Sequence, residues 1–165
     1  METFDLFLIP TINQYEKYTK IINSLSKRYS TPSFPHITLF EKIEANEKDL
    51  ITQVNTITKD FNKIEVEVLG MNFANTIHQC VFAQIKMSSE LLTLYNELEK
   101  TLHYSNQSIF FPHMSMVYGN LQPEEKQNIA ANIELDSKLL LDTLLIYRDG
   151  SLASDWEQVA EFKFR

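Results

Sequence analysis

Apolar residues along this chain switch between strand and helix spacing, and each switch marks an element. Phe4-Asp5-Leu6-Phe7-Leu8-Ile9 is nearly continuous in apolar character, and Pro10 closes it, which predicts a central strand. Tyr15, Tyr18, Ile21, Ile22 and Leu25 then recur at helical spacing, which predicts an amphipathic helix over about residues 13 to 28, with Arg28 near its negative end. Ser30-Thr31-Pro32-Ser33 is a loop. In His36-Ile37-Thr38-Leu39-Phe40 the side chains alternate, so His36 and Thr38 share one face and Ile37 and Leu39 the other. Leu50, Val54 and Ile57 predict a second helix over about 46 to 60, with Asp49 near its positive end. Val66 and Val68 belong to a strand ending around Gly70.

Gln79 to Ile85 reads as a further strand, over about 78 to 86. Leu91, Leu94, Tyr95, Leu98 and Leu102 trace the clearest helical face of the chain, over about 88 to 103, with Ser88 or Ser89 as its cap. Phe111-Pro112-His113-Met114-Ser115-Met116-Val117-Tyr118-Gly119 is a second Pro-His strand. Pro123 opens a shorter helix with Glu124 and Glu125 in its first turn. Leu139 to Tyr147 is a long apolar strand, Asp149-Gly150 begins a turn, and Trp156 to Phe164 is the final strand, with Trp156 as a packing anchor. Each half therefore runs strand, helix, Pro-His strand, helix, strand. This is an α+β layout with an internal pseudo-repeat, expected as one domain over residues 1–165 with two interleaved lobes.

Composition narrows the function. The chain has 165 residues, 44% hydrophobic, with only 3 Gly and 5 Pro, so it can bury a sizeable core and carries no long flexible linker. A net charge of -7 argues against a broad basic surface for long nucleic acid, yet leaves room for a small anionic substrate in a pocket with its own field. Cys80 is the single cysteine; it sits in an apolar run and reads as a core thiol. No apolar run reaches membrane-spanning length and no secretion signal is visible, so a cytoplasmic monomer without a membrane partner is expected.

The candidate chemistry lies in the two Pro-His strands. Phosphodiester cleavage needs one proton removed from a nucleophile and another delivered to the leaving oxygen, and histidine suits both tasks near neutral pH. His36 with Thr38, and His113 with Ser115, would supply two imidazoles and two hydroxyls, the hydroxyls holding nonbridging phosphate oxygens. A lone His-x-Thr is common by chance. Two copies in equivalent places of a repeated layout are not. His78 and His103 have no such context and are assigned no catalysis. Phe34, Phe111 and Tyr118 border the motifs as candidate base-stacking residues, against a reading as rim packing. Arg148, after the long strand, is a candidate second phosphate contact, against a reading as a surface arginine.

The paired motifs resemble those of the 2H phosphoesterase superfamily, and within it the cyclic phosphodiesterases of plant and yeast type. The resemblance rests on the strand ending Leu8-Ile9-Pro10, on Pro35-His36-Ile37-Thr38-Leu39, on Gln79-Cys80-Val81-Phe82, on Pro112-His113-Met114-Ser115-Met116-Val117-Tyr118-Gly119 and on Trp156 to Phe162. It implies a bilobed fold, with two pseudo-two-fold-related lobes whose antiparallel-rich sheets line a central groove and whose helices lie outside. It implies catalysis without a metal or other cofactor, and a small cyclic-phosphate nucleotide substrate: a 2',3'-cyclic nucleotide opened to the 2'-phosphate, or ADP-ribose 1'',2''-cyclic phosphate. Carried over, His36 and His113 are the acid/base pair and Thr38 and Ser115 bind phosphate, with His113 expected to activate water and His36 to protonate the leaving oxygen. Cleavage of 2'-5' or other short oligonucleotides, and noncatalytic nucleotide binding, are the alternatives.

Overall fold

The computed structural model describes residues 2–104, 109–150 and 155–165. Its elements run β1 (Glu2–Pro10), α1 (Ile12–Leu25), β2 (Ile37–Ala45), α2 (Glu47–Thr58), β3 (Ile64–Phe73), a 3-10 turn (Ile77–Gln79), β4 (Val81–Ile85), α3 (Ser89–Leu102), β5 (His113–Val117), α4 (Pro123–Ala131), β6 (Lys138–Arg148) and β7 (Glu157–Lys163). The expected order of elements in each half is present. The turn expected to begin at Asp149-Gly150 runs in sequence toward 151–154, which lie outside the described residues.

The sheets of the two halves are joined into one seven-stranded sheet, ordered β1-β2-β5-β4-β3-β6-β7, and a further β1–β6 pairing closes six of its strands into a ring. Every pairing is antiparallel. The long β6 spans both halves: Lys138 to Leu141 pair with β3, and Leu141 to Arg148 pair with β1. On the opposite side of the ring, β2 and β5 meet at a single register pair, Ile37 with Met114. β1 lies between β2 and β6, and its Phe4, Leu6, Phe7 and Leu8 are all buried, which is why its sequence lacks the alternation of a half-exposed strand.

The helices cover the outer face. Tyr18 and Ile22 of α1, Leu50 and Val54 of α2, and Leu91, Leu94 and Leu98 of α3 are buried against Phe4, Leu6, Leu8, Ile37, Leu39, Met114 and Met116 of the sheet. Burial of each large side chain of this kind contributes about 1.5–3 kcal/mol. Ser88 caps α3 by accepting from Leu91 N–H, and Asn46 caps α2 by accepting from Lys48 and Asp49 N–H. The α1 helix ends at Leu25, short of Arg28, whose guanidinium lies over the Tyr29 ring. None of the helices is long and apolar enough to cross a membrane among the described residues.

Two local departures have physical causes. β3 does not stop at Gly70 but passes through it to Phe73. Gly70 has φ +130°, and Val68 pairs with Ile85 while Gly70 pairs with Gln84, so the glycine accommodates a bulge instead of a terminus. The strand expected over 78–86 begins only at Val81, because Ile77–Gln79 form the 3-10 turn and His78 lies within it.

Candidate active site

The seam between β2 and β5 assembles the two Pro-His motifs. With Ile37 opposite Met114 in antiparallel register, His36 lies across from Ser115 and Thr38 across from His113. Ile37 and Met114 point into the core, 1% and 0% exposed, so the four polar residues flanking them share the other face. The arrangement is pseudo-symmetric about the Ile37–Met114 pair and extends to the neighbouring strands: Phe7 of β1 pairs with Thr38, and Phe82 of β4 pairs with Ser115.

The two imidazoles are held in the same way. His36 Nδ1 is 2.8 Å from Phe34 O, and His113 Nδ1 is 2.8 Å from Phe111 O. A carbonyl oxygen only accepts, so each Nδ1 carries its proton and each neutral ring keeps its Nε2 lone pair. Pro35 and Pro112 lie between each carbonyl and its ring, and their fixed φ holds the chain at the strand entrance. Aromatic side chains pack around both rings. Phe7 and Phe34 stand 4.5 and 4.7 Å from His36, centroid to centroid, and Phe82 and Phe111 stand 5.4 and 5.7 Å from His113.

This packing sets the proton affinities. Burial is the main cause that lowers His36 from 6.5 to about 4; the Phe34 carbonyl opposes it and the nearby His113 adds to it. Burial also lowers His113, opposed by the Phe111 carbonyl and by the Glu41 carboxylate. Both rings are therefore largely neutral at pH 7, and a negative charge beside them would favour protonation of one.

The hydroxyls differ. Ser115 Oγ donates to His78 O at 2.7 Å, so its proton must swing away from that carbonyl to reach a phosphate oxygen. Thr38 is half-buried on the open face. Of the bordering residues, Phe34 stacks on Tyr147 at 5.2 Å, Phe111 is 41% exposed beside His113, and Tyr118 meets His78 edge to face at 5.1 Å. Burial, with a smaller push from Glu41, raises the Tyr118 phenol to about 12, so it stays a hydrogen-bond donor. The structure does not offer Arg148 to the histidines as a free cation: its guanidinium pairs with Glu2, Glu47 and Glu157. Among the described residues no three His, Cys, Asp or Glu side chains cluster as a metal site. A surface groove of about 740 Å³ between α1 and α4 is lined by residues such as Ile21, Arg28, Glu125 and Ile133, and includes none of the four motif residues.

Sequence reasoning missed four aromatic residues of this face and one acid. Phe7 and Phe82 read as core within apolar runs, although their equivalent places in the two halves were a usable signal. Tyr147 lies 5.7 Å from Phe7, and Trp156, taken for a packing anchor, stacks on Phe7 at 6.1 Å while 38% exposed. Glu41 carried no motif at all.

With this geometry in view, the comparisons with known proteins agree with one another. Residues 1–163 match the family described as cyclic phosphodiesterase-like protein. A cyclic phosphodiesterase of Arabidopsis thaliana is 20% identical over 140 residues, covering 84% of this chain and 77% of that protein. Among solved structures, E. coli LigT complexed with 3'-AMP is similar with a TM-score of 0.66 at 12% identity, covering 99% of this chain and 98% of that one. TT0787 of Thermus thermophilus is similar with a TM-score of 0.61 at 14% identity, covering 98% of each chain. A match along nearly the whole sequence makes this chain a member of the cyclic phosphodiesterase-like family, and a phosphodiesterase.

Proposed function

We propose that the site at the β2–β5 seam hydrolyses a small cyclic phosphodiester, a 2',3'-cyclic nucleotide or ADP-ribose 1'',2''-cyclic phosphate, by paired-histidine acid/base catalysis. The observation that carries this reading is the pair of imidazoles, each with Nδ1 fixed on a carbonyl and Nε2 left for chemistry, on one face of a two-strand seam. A neutral ring takes a proton from water as the oxygen bonds to phosphorus. A protonated ring gives its Nε2 proton to the ribose oxygen as its bond to phosphorus breaks. One water is consumed, one phosphomonoester forms, and proton exchange with solvent resets the pair. Thr38 and Ser115 hydroxyls donate to the nonbridging oxygens, where charge grows in the transition state.

Phe34, Phe111 and Tyr118, with Tyr147 and Trp156, provide stacking surface for a base. The 3'-AMP complex of the E. coli relative supports a ligand of nucleotide size. The protein would act on such a ligand as a cytoplasmic monomer, without long nucleic acid, membrane or cofactor. One observation favours a second reading: aromatic clusters flank both histidines, so two bases could be held at once, as in a short 2'-5' linked oligonucleotide.

A substrate panel with product identification by phosphorus NMR tests the proposal. Opening of a cyclic phosphate to a single phosphomonoester isomer is expected. Cleavage of the oligonucleotide alone would move the substrate to the second reading, and binding without turnover would remove the catalytic one.

A further inference from the structure

The two halves of the site match at the histidines and differ one strand further out. On the β5 side, Phe82 of β4 stands opposite Ser115 and Gln84 opposite His113, so both share the face that carries the motif. Gly70 of β3 stands opposite Gln84, and a β-carbon there would have no atom within 4 Å. A strand glycine beside open space is a place where a ligand can approach the backbone closely. On the β2 side, Phe7 pairs with Thr38 and Leu8 with Ile37, which carries Ile9 to the place opposite His36. Ile9 in turn pairs with the buried Thr143 of β6. One half therefore has an amide beside a glycine where the other has an aliphatic side chain beside a threonine.

A chain of hydrogen bonds sets which way the Gln84 carboxamide faces. Phe73 N–H donates to Asn72 Oδ1 at 2.8 Å. A backbone N–H only donates, so the atom it meets is the Asn72 oxygen, and the Asn72 nitrogen is the atom left for Gln84. That nitrogen donates to Gln84 Oε1 at 3.1 Å. Gln84 Nε2 is thereby turned away from Asn72 with two N–H donors, and the side chain makes no other hydrogen bond among the described residues. Phe111 supplies a ring face on the same side of the seam. It is 41% exposed, 5.7 Å from the His113 ring and 5.9 Å from the ring of Phe82, two places from Gln84 on β4.

We propose that Gln84 is a specificity-determining residue whose Nε2 donates to the exocyclic carbonyl of a base stacked on Phe111, and that Asn72 is the positioning residue that fixes this donor. The inference rests on the cyclic-nucleotide reading of the seam. Guanine and uracil carry a carbonyl, O6 or O4, where adenine and cytosine carry an amine. A donor set against an amine leaves both groups unpaired, so the site favours keto bases over amino bases. The open space at Gly70 leaves room for the base edge beside the amide.

The test is steady-state turnover of the four 2',3'-cyclic nucleotides, with calorimetric binding of the four nucleoside 2'-monophosphates, for the wild type, Gln84→Glu, Gln84→Leu and Asn72→Asp. The readout is the keto-to-amino ratio, guanine against adenine and uracil against cytosine. Stacking area and any uniform effect of an added charge cancel in it. The wild type should favour keto bases by roughly five- to tenfold in kcat/KM, the size of one neutral hydrogen bond, with the difference carried by KM. Gln84→Glu keeps an oxygen for Asn72 Nδ2 and turns an acceptor to the base, so the ratio should invert. Gln84→Leu should abolish the preference. Asn72→Asp should also invert it: a carboxylate beside Phe73 N–H can only accept from Gln84, which then turns Nε2 toward it and leaves Oε1 for the base. A merely structural Asn72 would alter stability without reordering the bases. Equal use of keto and amino bases by the wild type, or a ratio unmoved in Gln84→Glu, overturns the inference while the proposed function stands. A ratio unmoved in Asn72→Asp alone overturns the role of Asn72 and upholds that of Gln84. Absence of turnover, with keto-selective binding that Gln84→Glu inverts, upholds the recognition and overturns the proposed function.

Discussion

Asp5→Asn isolates the electrostatic cost of the β1–β2 bulge at which Asp5 accepts from Lys42 N–H at 2.7 Å. Asp5 is 4% exposed, and its carboxyl is raised from 3.8 to about 6. Burial is the main cause; the Lys42 N–H opposes it, and Glu41 and Asp149 add to it. Because the folded-state value lies above the unfolded one, the folded chain holds the extra proton between pH 3.8 and about 6. The stabilisation from this group is full below pH 3.8 and is lost as pH rises through about 6. A displacement of about two units corresponds to about 3 kcal/mol, an order-of-magnitude figure that needs little reduction for solvent screening at so buried a site. Asn keeps an oxygen acceptor for Lys42 N–H and does not titrate. Urea unfolding of both proteins from pH 3.5 to 7.5 should therefore show Asp5→Asn gaining on the wild type by about 3 kcal/mol as pH rises, with the gain complete near pH 7. His36 also titrates in this range, with the opposite sign, but it is present in both proteins and cancels in the difference. A difference that stays flat across the range, or that shrinks as pH rises, would refute the reasoning.

Lys126 is 2% exposed on α4, and its ammonium donates to Ala74 O at 2.7 Å and Asn75 Oδ1 at 3.1 Å. The same loop supplies the His78 carbonyl that orients Ser115, so Lys126→Met should cost about 1–3 kcal/mol in urea unfolding and lower kcat/KM with it. Phe34→Leu removes a ring that stacks on Tyr147 and borders His36. It should raise KM for a cyclic nucleotide about tenfold with a smaller change in kcat, in line with a stacking contribution of about 1–3 kcal/mol, and an unchanged KM would remove Phe34 from base recognition.

What the sequence disclosed depended on periodicity. The two Pro-His strands were legible because His36 and Thr38, like His113 and Ser115, keep a clean two-residue period against a buried Ile37 or Met114. Helices α2 and α3 were legible for the corresponding reason, with Leu50, Val54 and Ile57 on one buried face and Leu91, Leu94 and Leu98 on another. The period fails where a bulge adds a residue, so the sequence could not reveal that β3 runs through Gly70 to Phe73. In β1, buried on both faces, Phe7 has no polar neighbour pattern to distinguish it from Leu6 and Leu8, although it touches His36 and they do not line the seam. Arg148 looked available because its partners, Glu2, Glu47 and Glu157, come from three distant parts of the chain and converge only in the fold.

The most direct test of paired-histidine catalysis follows a 2',3'-cyclic nucleotide by phosphorus NMR, with chelator present, in the wild type, His36→Ala and His113→Ala. The expected result is conversion to one phosphomonoester isomer by the wild type, and a loss of at least about a hundredfold in each variant while unfolding shows the fold retained. Near wild-type turnover in either folded variant would contradict the mechanism.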